Sequence, residues 1–255
     1  PLIDFEAYRE AVANALIHRD FSVASSVSIN WYEDGRLIIS NPGGFVEGVT
    51  VDNILSITPY PRNPLLSEIF RRAGIVEKTG RGVDKIFVGQ AKYGKPLPIW
   101  DVDNKHVSLT LIGKKWREDI ASKMLSEEFV PEEVLILYYL YINDGIAQLS
   151  ALSKAIQKKP EEVNYFLERL EERNLVESLE GSAFLSEAIR PKFADREQFI
   201  LNMLKEKGFI TRSDVAKSLN VSTSTALRLL QQLVSKGLVN RKGERGGSKY
   251  YLTSK

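Results

Sequence analysis

Glu10 and Asn14 stand four residues apart, which places a carboxylate and a carboxamide on one face of a helix. Such a pair can orient a water molecule and coordinate a divalent cation. The spacing alone is common on solvated helices, so its weight depends on what surrounds it. A second group lies near the C-terminus. On a predicted helix there, Thr223, Ser224, Thr225, Arg228 and Gln232 face away from the apolar positions Ala226, Leu229, Leu230 and Leu233. Hydroxyls, a carboxamide and a guanidinium are the groups that donate to phosphates and read base edges. Arg241, Lys242, Arg245 and Lys249 follow on a predicted hairpin. Other chemistries lack residues. The chain has no cysteine and two histidines, His18 and His106, which excludes disulfides and thiolate metal sites and argues against zinc. No Gly-x-Ser-x-Gly elbow supports a hydrolase triad. No Gly-x-x-x-x-Gly-Lys-Ser/Thr loop supports a helicase motor. His18-Arg19-Asp20 shares letters with a kinase catalytic loop but none of its context. His18 and Asp20 are expected to close the first helix and brace the first strand.

The elements that must position these groups follow from periodicity. Phe5 to Ile17 has apolar residues at helical spacing: Phe5, Tyr8, Val12, Ala15 and Leu16. Val27–Trp31 and Arg36–Ser40 read as a hairpin about Asp34-Gly35, and Asn41-Pro42-Gly43-Gly44 breaks the second strand. Leu65–Ala73 reads as a helix entered through Asn63-Pro64. Lys78-Thr79-Gly80-Arg81-Gly82 is a glycine loop leading into a helix from Val83 to about Lys92. Val107–Leu111 is a further strand. The order predicts an α+β sandwich over 1–118.

Residues 119–191 read as three helices (Glu132–Ile142, Gln148–Ile156, Pro160 to about Asn174) and a hairpin about Gly181. Residues 192–255 repeat that order. Helices are expected over Asp195–Lys207, over Arg212–Leu219 with Ser213 as cap, and from Ser222 to about Lys236. A hairpin over Leu238–Lys242 and Lys249–Leu252 closes the segment. The charge is uneven. The whole chain carries a net +2, but residues 192–255 hold 13 Lys/Arg against 5 Asp/Glu and residues 119–191 hold 7 against 14. Different partners are therefore expected for the two copies.

The stretch Ile210-Thr211-Arg212-Ser213-Asp214-Val215-Ala216-Lys217-Ser218-Leu219-Asn220-Val221-Ser222 resembles the helix-turn-helix of bacterial and archaeal winged-helix regulators. Residues 192–255 are accordingly expected to form a basic winged helix that binds double-stranded DNA. The acidic copy carries Glu161, Glu162, Glu168, Glu171 and Glu172 on its third helix. These would repel phosphate, so a spacer or dimerisation role is expected there.

Residues 1–118 bear a second resemblance. Its motifs are, in order, Arg9 through Ser22, Ile38-Ile39-Ser40-Asn41-Pro42-Gly43-Gly44, Arg62-Asn63-Pro64-Leu65 and Glu77-Lys78-Thr79-Gly80-Arg81-Gly82-Val83. The series resembles the C-terminal domain of transcriptional regulators that carry an upstream Schlafen/AlbA-type domain, often labelled ATP-dependent DNA helicase-related. Their domain is similar to a divergent member of the GHKL ATPase superfamily. The resemblance implies a GHKL-like α/β sandwich followed by two winged helix-turn-helix domains. It implies Glu10 as general base and Asn14 as a ligand of Mg²⁺ between the phosphates of ATP. Asn41, Gly43 and Gly44 would lie beside the adenine. Gly80 and Gly82 would cradle phosphate through backbone amides at a helix start, with Lys78 and Arg81 as nearby cations. One departure stands out: the superfamily has an aspartate where Asn41 stands, so the acceptor for the adenine amino group is neutral here.

These features together predict a cytoplasmic, homodimeric DNA-binding transcriptional regulator with a divergent nucleotide-binding domain. Two alternatives stay open: an ATP-hydrolysing, DNA-associated enzyme of weak activity, and a regulator whose first domain only scaffolds assembly. The chain opens on Pro1 and enters helical sequence at once, as expected of a piece of a longer protein.

Overall fold

The computed structural model describes residues 2–58, 60–76, 81–114, 117–143, 145–179, 181–186, 200–205, 207–219, 223–243 and 248–253. The chain divides into two compact units, residues 1–186 and 187–255. Among the described residues no helix is long and apolar enough to cross a membrane.

The first unit begins with α1 (Phe5–Ile17), capped by Asp4, whose carboxylate accepts the Ala7 N–H at 3.0 Å. Its buried face is not the one the large apolar residues suggest. Phe5 is 71% exposed, whereas Ala7, Glu10, Ala11 and Ala15 are buried. The reason is packing on two sides. α1 lies against β2 (Arg36–Pro42) and against α3 (Gly82–Lys92). Only small side chains allow such close approach: a Cβ on Gly89 of α3 would come within 2.7 Å of the Ala7 Cβ.

β1 (Ser28–Trp31), β2, β3 (Ile99–Val102) and β4 (His106–Ile112) form an antiparallel sheet in the order β1-β2-β4-β3. Leu37, Ile39, Leu109 and Leu111 alternate onto the helical side and share a core with Ala11, Ala15 and Ile86. β2 continues through Asn41 and Pro42, which pair with Val107 and His106, so the break comes at Gly43 rather than at Asn41. β3 is an element the periodicity did not reveal. α2 (Pro64–Arg72) joins the long segment after β2 to α3.

The rest of this unit is α4 (Glu118–Ser126), α5 (Pro131–Ile142), β5 (Ile146–Gln148), α6 (Leu149–Ile156), α7 (Pro160–Glu172), β6 (Val176–Leu179) and β7 (Ser182–Leu185). Its sheet runs β5-β7-β6. Glu133, fully buried on α5, receives Arg169 at 2.7 Å and Arg173 at 3.4 Å from α7 and the turn after it. Those two cations therefore serve the fold. α5 packs on α3, so this winged helix sits directly against the sandwich.

In the second unit residues 200–205 are helical, followed by β8 (Ile210–Thr211), α8 (Arg212–Leu219), α9 (Thr223–Ser235), β9 (Val239–Lys242) and β10 (Lys249–Leu252). The sheet runs β8-β10-β9, the same arrangement as in the first copy. Ile200, Leu204, Val215, Ala226, Leu229, Leu230, Leu233 and Tyr250 make its core. The start of α8 corrects one expectation. Thr211 and Asp214 cap it reciprocally, not Ser213. The Asp214 carboxylate accepts the Thr211 N–H at 2.8 Å, and the Thr211 hydroxyl oxygen accepts the Asp214 N–H at 3.2 Å.

Candidate functional site

A cavity of about 190 Å³ opens between α1, the helical face of the sheet and the segment joining β2 to α2. Ile39, Val107, Leu109 and Trp100 form its floor, and Val46, Val49, Ile54 and Ile57 its outer wall. Its polar lining is Glu10, Asn14 and His18 from α1 and Asn41 from β2, with Thr58, Tyr60 and Ser67.

Glu10 is 2% exposed. Its Oε1 lies 3.4 Å from Arg9 Nη2 and 3.7 Å from Lys85 Nζ, two cations that balance the buried carboxylate. Its Oε2 faces Gly82, the first residue of α3. A Cβ at Gly82 would stand 2.7 Å from that oxygen and 3.7 Å from Asn14 Nδ2. Glycine thus lets the N-terminus of α3 close onto the Glu10–Asn14 pair. The backbone amides and positive end of a helix start converge there with a carboxylate and a carboxamide. Sequence spacing put Glu10 and Asn14 on one face, and the structure brings Gly82 and Asn41 into the same site.

Asn41 is buried, and its Nδ2 donates to the Pro42 carbonyl at 3.3 Å. Gly44 lines the cavity, while Gly43 turns the chain behind it. At φ 87°, with Asp20 where a Cβ would go, position 43 suits only glycine. Arg81 is the residue before α3 and is not among the cavity-lining groups. Lys78 and Gly80 lie outside the described residues.

Two residues the chemical reading passed over, Arg62 and Asn63, hold this side together, beside His18, which closes α1 as expected with its backbone N–H on the Asn14 carbonyl. Arg62 donates to the Gly44 carbonyl at 2.8 Å and lies 3.6 Å from Asp20. Asn63 donates to the Ile17 and Arg19 carbonyls, each at 2.8 Å, and so satisfies the end of α1. His18 lines the cavity, and burial, helped by the Arg62 charge, holds its pKa below 6.5. Asp20 braces the glycine turn instead of β1; its carboxyl is lowered by hydrogen bonds from Ser22 and by Arg62. The Arg62-Asn63 pair was visible as a motif, but its partners lie too far along the chain for spacing to reveal.

In the second unit the outward side of α9 carries the expected set. Thr223, Ser224, Arg228 and Gln232 are exposed and Thr225 is half-buried. The hairpin divides its cations. Arg241 pairs with buried Tyr250 and so lies on the helical side of the sheet, where its Nε donates to the Ser248 hydroxyl at 3.0 Å. Lys242 and Lys249 pair with each other on the opposite side. There Lys249 lies over the Phe209 ring at 4.1 Å and Lys242 over the Tyr251 ring at 5.5 Å. Arg245 lies outside the described residues.

Residues 24–111 match the family model described as "Putative ATP-dependent DNA helicase recG C-terminal", and residues 198–240 match "Winged helix-turn-helix DNA-binding". The chain pairs an ATPase-type domain with a winged helix. The ATPase-type match spans Asn41, Gly44 and Gly82 but begins after Glu10 and Asn14. The arrangement is that of a GHKL-like sandwich followed by two winged helices. Among solved structures, the DIP2311 protein from Corynebacterium diphtheriae is 25% identical with a TM-score of 0.64; the alignment covers 98% of this chain and 50% of that one. This chain thus spans half the length of that protein. The mRNA-binding domain of elongation factor SelB from E. coli, solved with SECIS RNA, is 15% identical with a TM-score of 0.28, over 49% of this chain and all of that one. That score is too low to carry an inference. No curated protein matches the chain.

Proposed function

We propose that the ATPase-type domain binds an adenine nucleotide in the cavity and that the basic winged helix binds duplex DNA, so that the chain acts as a nucleotide-linked transcriptional regulator. The observation that carries the proposal is the convergence of Glu10, Asn14 and the Gly82 start of α3 at one side of an apolar cavity. At about 190 Å³ the cavity is smaller than the ~300–1,000 Å³ that encloses a whole drug-sized ligand. It suits a heterocyclic base, with the phosphates left at the polar side beside the helix start. There a glycine and the amides of a helix start favour an anion, and a Cβ would close the space.

The residues fit a nucleotide with its metal. Among the described residues no cluster of three or more His, Cys, Asp or Glu could hold a metal unaided. A cation at Asn14 would take most of its remaining ligands from phosphate oxygens and water. Bound Mg²⁺ would neutralise phosphate charge. Glu10 would orient a water molecule through Oε2, because Oε1 already faces Arg9 and Lys85. Asn41 would accept from the exocyclic amine through Oδ1, a neutral and therefore weaker contact than a carboxylate makes. Together these favour binding with slow turnover over an efficient enzyme.

Isothermal titration with ATP and Mg²⁺ tests the reading: a saturable heat is expected, and its absence from folded protein would leave the domain a scaffold. Glu10→Ala separates binding from chemistry. It should abolish any residual hydrolysis, and unchanged turnover would remove Glu10 as the base.

A further inference from the structure

Gln157 ends α6 in the left-handed region, at φ 53°, a position where glycine or asparagine is the usual occupant. Its carboxamide bridges two points of a distant segment. Oε1 accepts the Leu55 N–H at 2.8 Å, and Nε2 donates to the Val51 carbonyl at 2.7 Å. Both points lie on the strap between β2 and α2, the one that supplies Val46, Val49, Ile54 and Ile57 to the cavity wall. The ends of the strap are anchored, by the bonds of Gly43 to Lys105 and of Asn63 to Ile17 and Arg19. Among the described residues the other bonds of its middle, residues 46–57, are local: Asn53 ties Gly48 and Thr50 at 2.8 Å each and receives Ser56 and Ile57 at 2.9 Å. These bonds hold a turn together but leave its position over the cavity undetermined. Gln157 supplies that position from the acidic winged helix. The next residue, Lys158, lies 3.7 Å from Glu132 on α5, and α5 packs along α3, whose first residue faces Glu10. The turn after α6 therefore touches the strap directly and α3 through α5.

We infer that Gln157 is a positioning residue for the nucleotide site: it pins the strap in the shape that receives the ligand and thereby links occupancy of the cavity to the acidic winged helix. The inference rests on the nucleotide reading above. A carboxamide is required because one planar group must both accept and donate. A carboxylate of the same shape keeps the bond from Leu55 but turns an oxygen toward the Val51 carbonyl. A strap already ordered spares a ligand the cost of ordering it.

The test uses the whole chain with Gln157→Gly, which suits the backbone and deletes the clamp, and Gln157→Glu, which keeps half of it. Amide exchange at Leu55 and ATP–Mg²⁺ affinity are read together. Leu55 exchange in Gln157→Gly should be roughly tenfold faster than in the unaltered chain. ATP affinity should fall about five- to tenfold, with Gln157→Glu between the two. Bound ATP should slow Leu55 exchange in the unaltered chain. Unchanged exchange in both variants would show that the clamp does not act in solution. Faster exchange with unchanged affinity would show that the strap does not shape the site. Either result overturns the inference while leaving nucleotide binding intact. Failure of the unaltered chain to bind nucleotide removes both.

Discussion

Two influences on His18 act in one direction: burial first, then the Arg62 guanidinium, both holding its imidazole below 6.5. The folded state thus resists a proton that the unfolded chain accepts. Above that value both states are neutral and the group has no effect on stability. Below it the unfolded state is protonated first, and stability falls until the folded pKa is reached. Acidification from about pH 7 to about pH 5.5 should therefore lower the thermal midpoint more in the unaltered chain than in His18→Gln. Equal losses would show that His18 is not held neutral. Glu10 and Asn14 were legible as a pair because helical periodicity is local. His18 was legible as the end of α1 for the same reason, but Arg62 and Asn63 took their roles from contacts across tens of residues. Gln157 lay beyond reach altogether, since nothing in Lys154-Ala155-Ile156-Gln157 marks a side chain that bonds Val51 and Leu55.

The elements show where local pattern suffices and where it fails. α1, α7, α9 and β10 have the spans, or nearly the spans, that their apolar spacing implies. β3, β5 and β8 were missed: each is four residues or fewer, and edge strands that short carry too little alternation to stand out. The apolar spacing of α1 marked its inward face only in part: Ala15 and Val12 reach the core, while Phe5 and Tyr8 do not. A helix squeezed between a sheet and α3 buries its small residues, so Ala7 and Ala11, absent from that spacing, are buried too. The cap of α8 was misplaced because Ser213 is a good capping residue in isolation, whereas Thr211 and Asp214 satisfy each other. Thr211→Ala should cost the second unit about 1 kcal/mol, as loss of a helix cap does, while Ser213→Ala should cost little. Thermal unfolding of the two variants decides between them; equal loss would restore Ser213 to the role. Hydrogen bonds from Thr211 lower the Asp214 carboxyl below 3.8, so this contribution is present above that value and fades as pH falls through the folded pKa.

At the scale of the molecule, one architecture appears twice with opposite charge. α7 and α9 occupy equivalent places, but α7 exposes Glu161, Glu162 and Glu168 while α9 exposes Arg228 and Gln232. That contrast was legible from charge counts alone. The docking of the acidic copy on α3 was not, because it depends on α5 meeting a helix about fifty residues upstream. Duplex binding should follow the basic copy and weaken steeply with salt, since each phosphate neutralised adds about −0.9 to the slope of log affinity against log salt. Arg228 on α9 and Arg241 on the helical side of the hairpin should each account for about one such contact. Lys242 and Lys249 lie on the other side of the sheet, drawn over Tyr251 and Phe209, so their removal should matter less. Arg228→Ala and Arg241→Ala should therefore weaken binding and flatten the slope. Lys249→Ala should change the slope by less, and Glu161→Ala on α7 by nothing measurable. The decisive measurement is fluorescence anisotropy of a labelled duplex across a salt series. A flatter slope in Lys249→Ala than in Arg241→Ala would place the contact on the outer face of the hairpin. A response to Glu161→Ala would bring the acidic copy to the DNA.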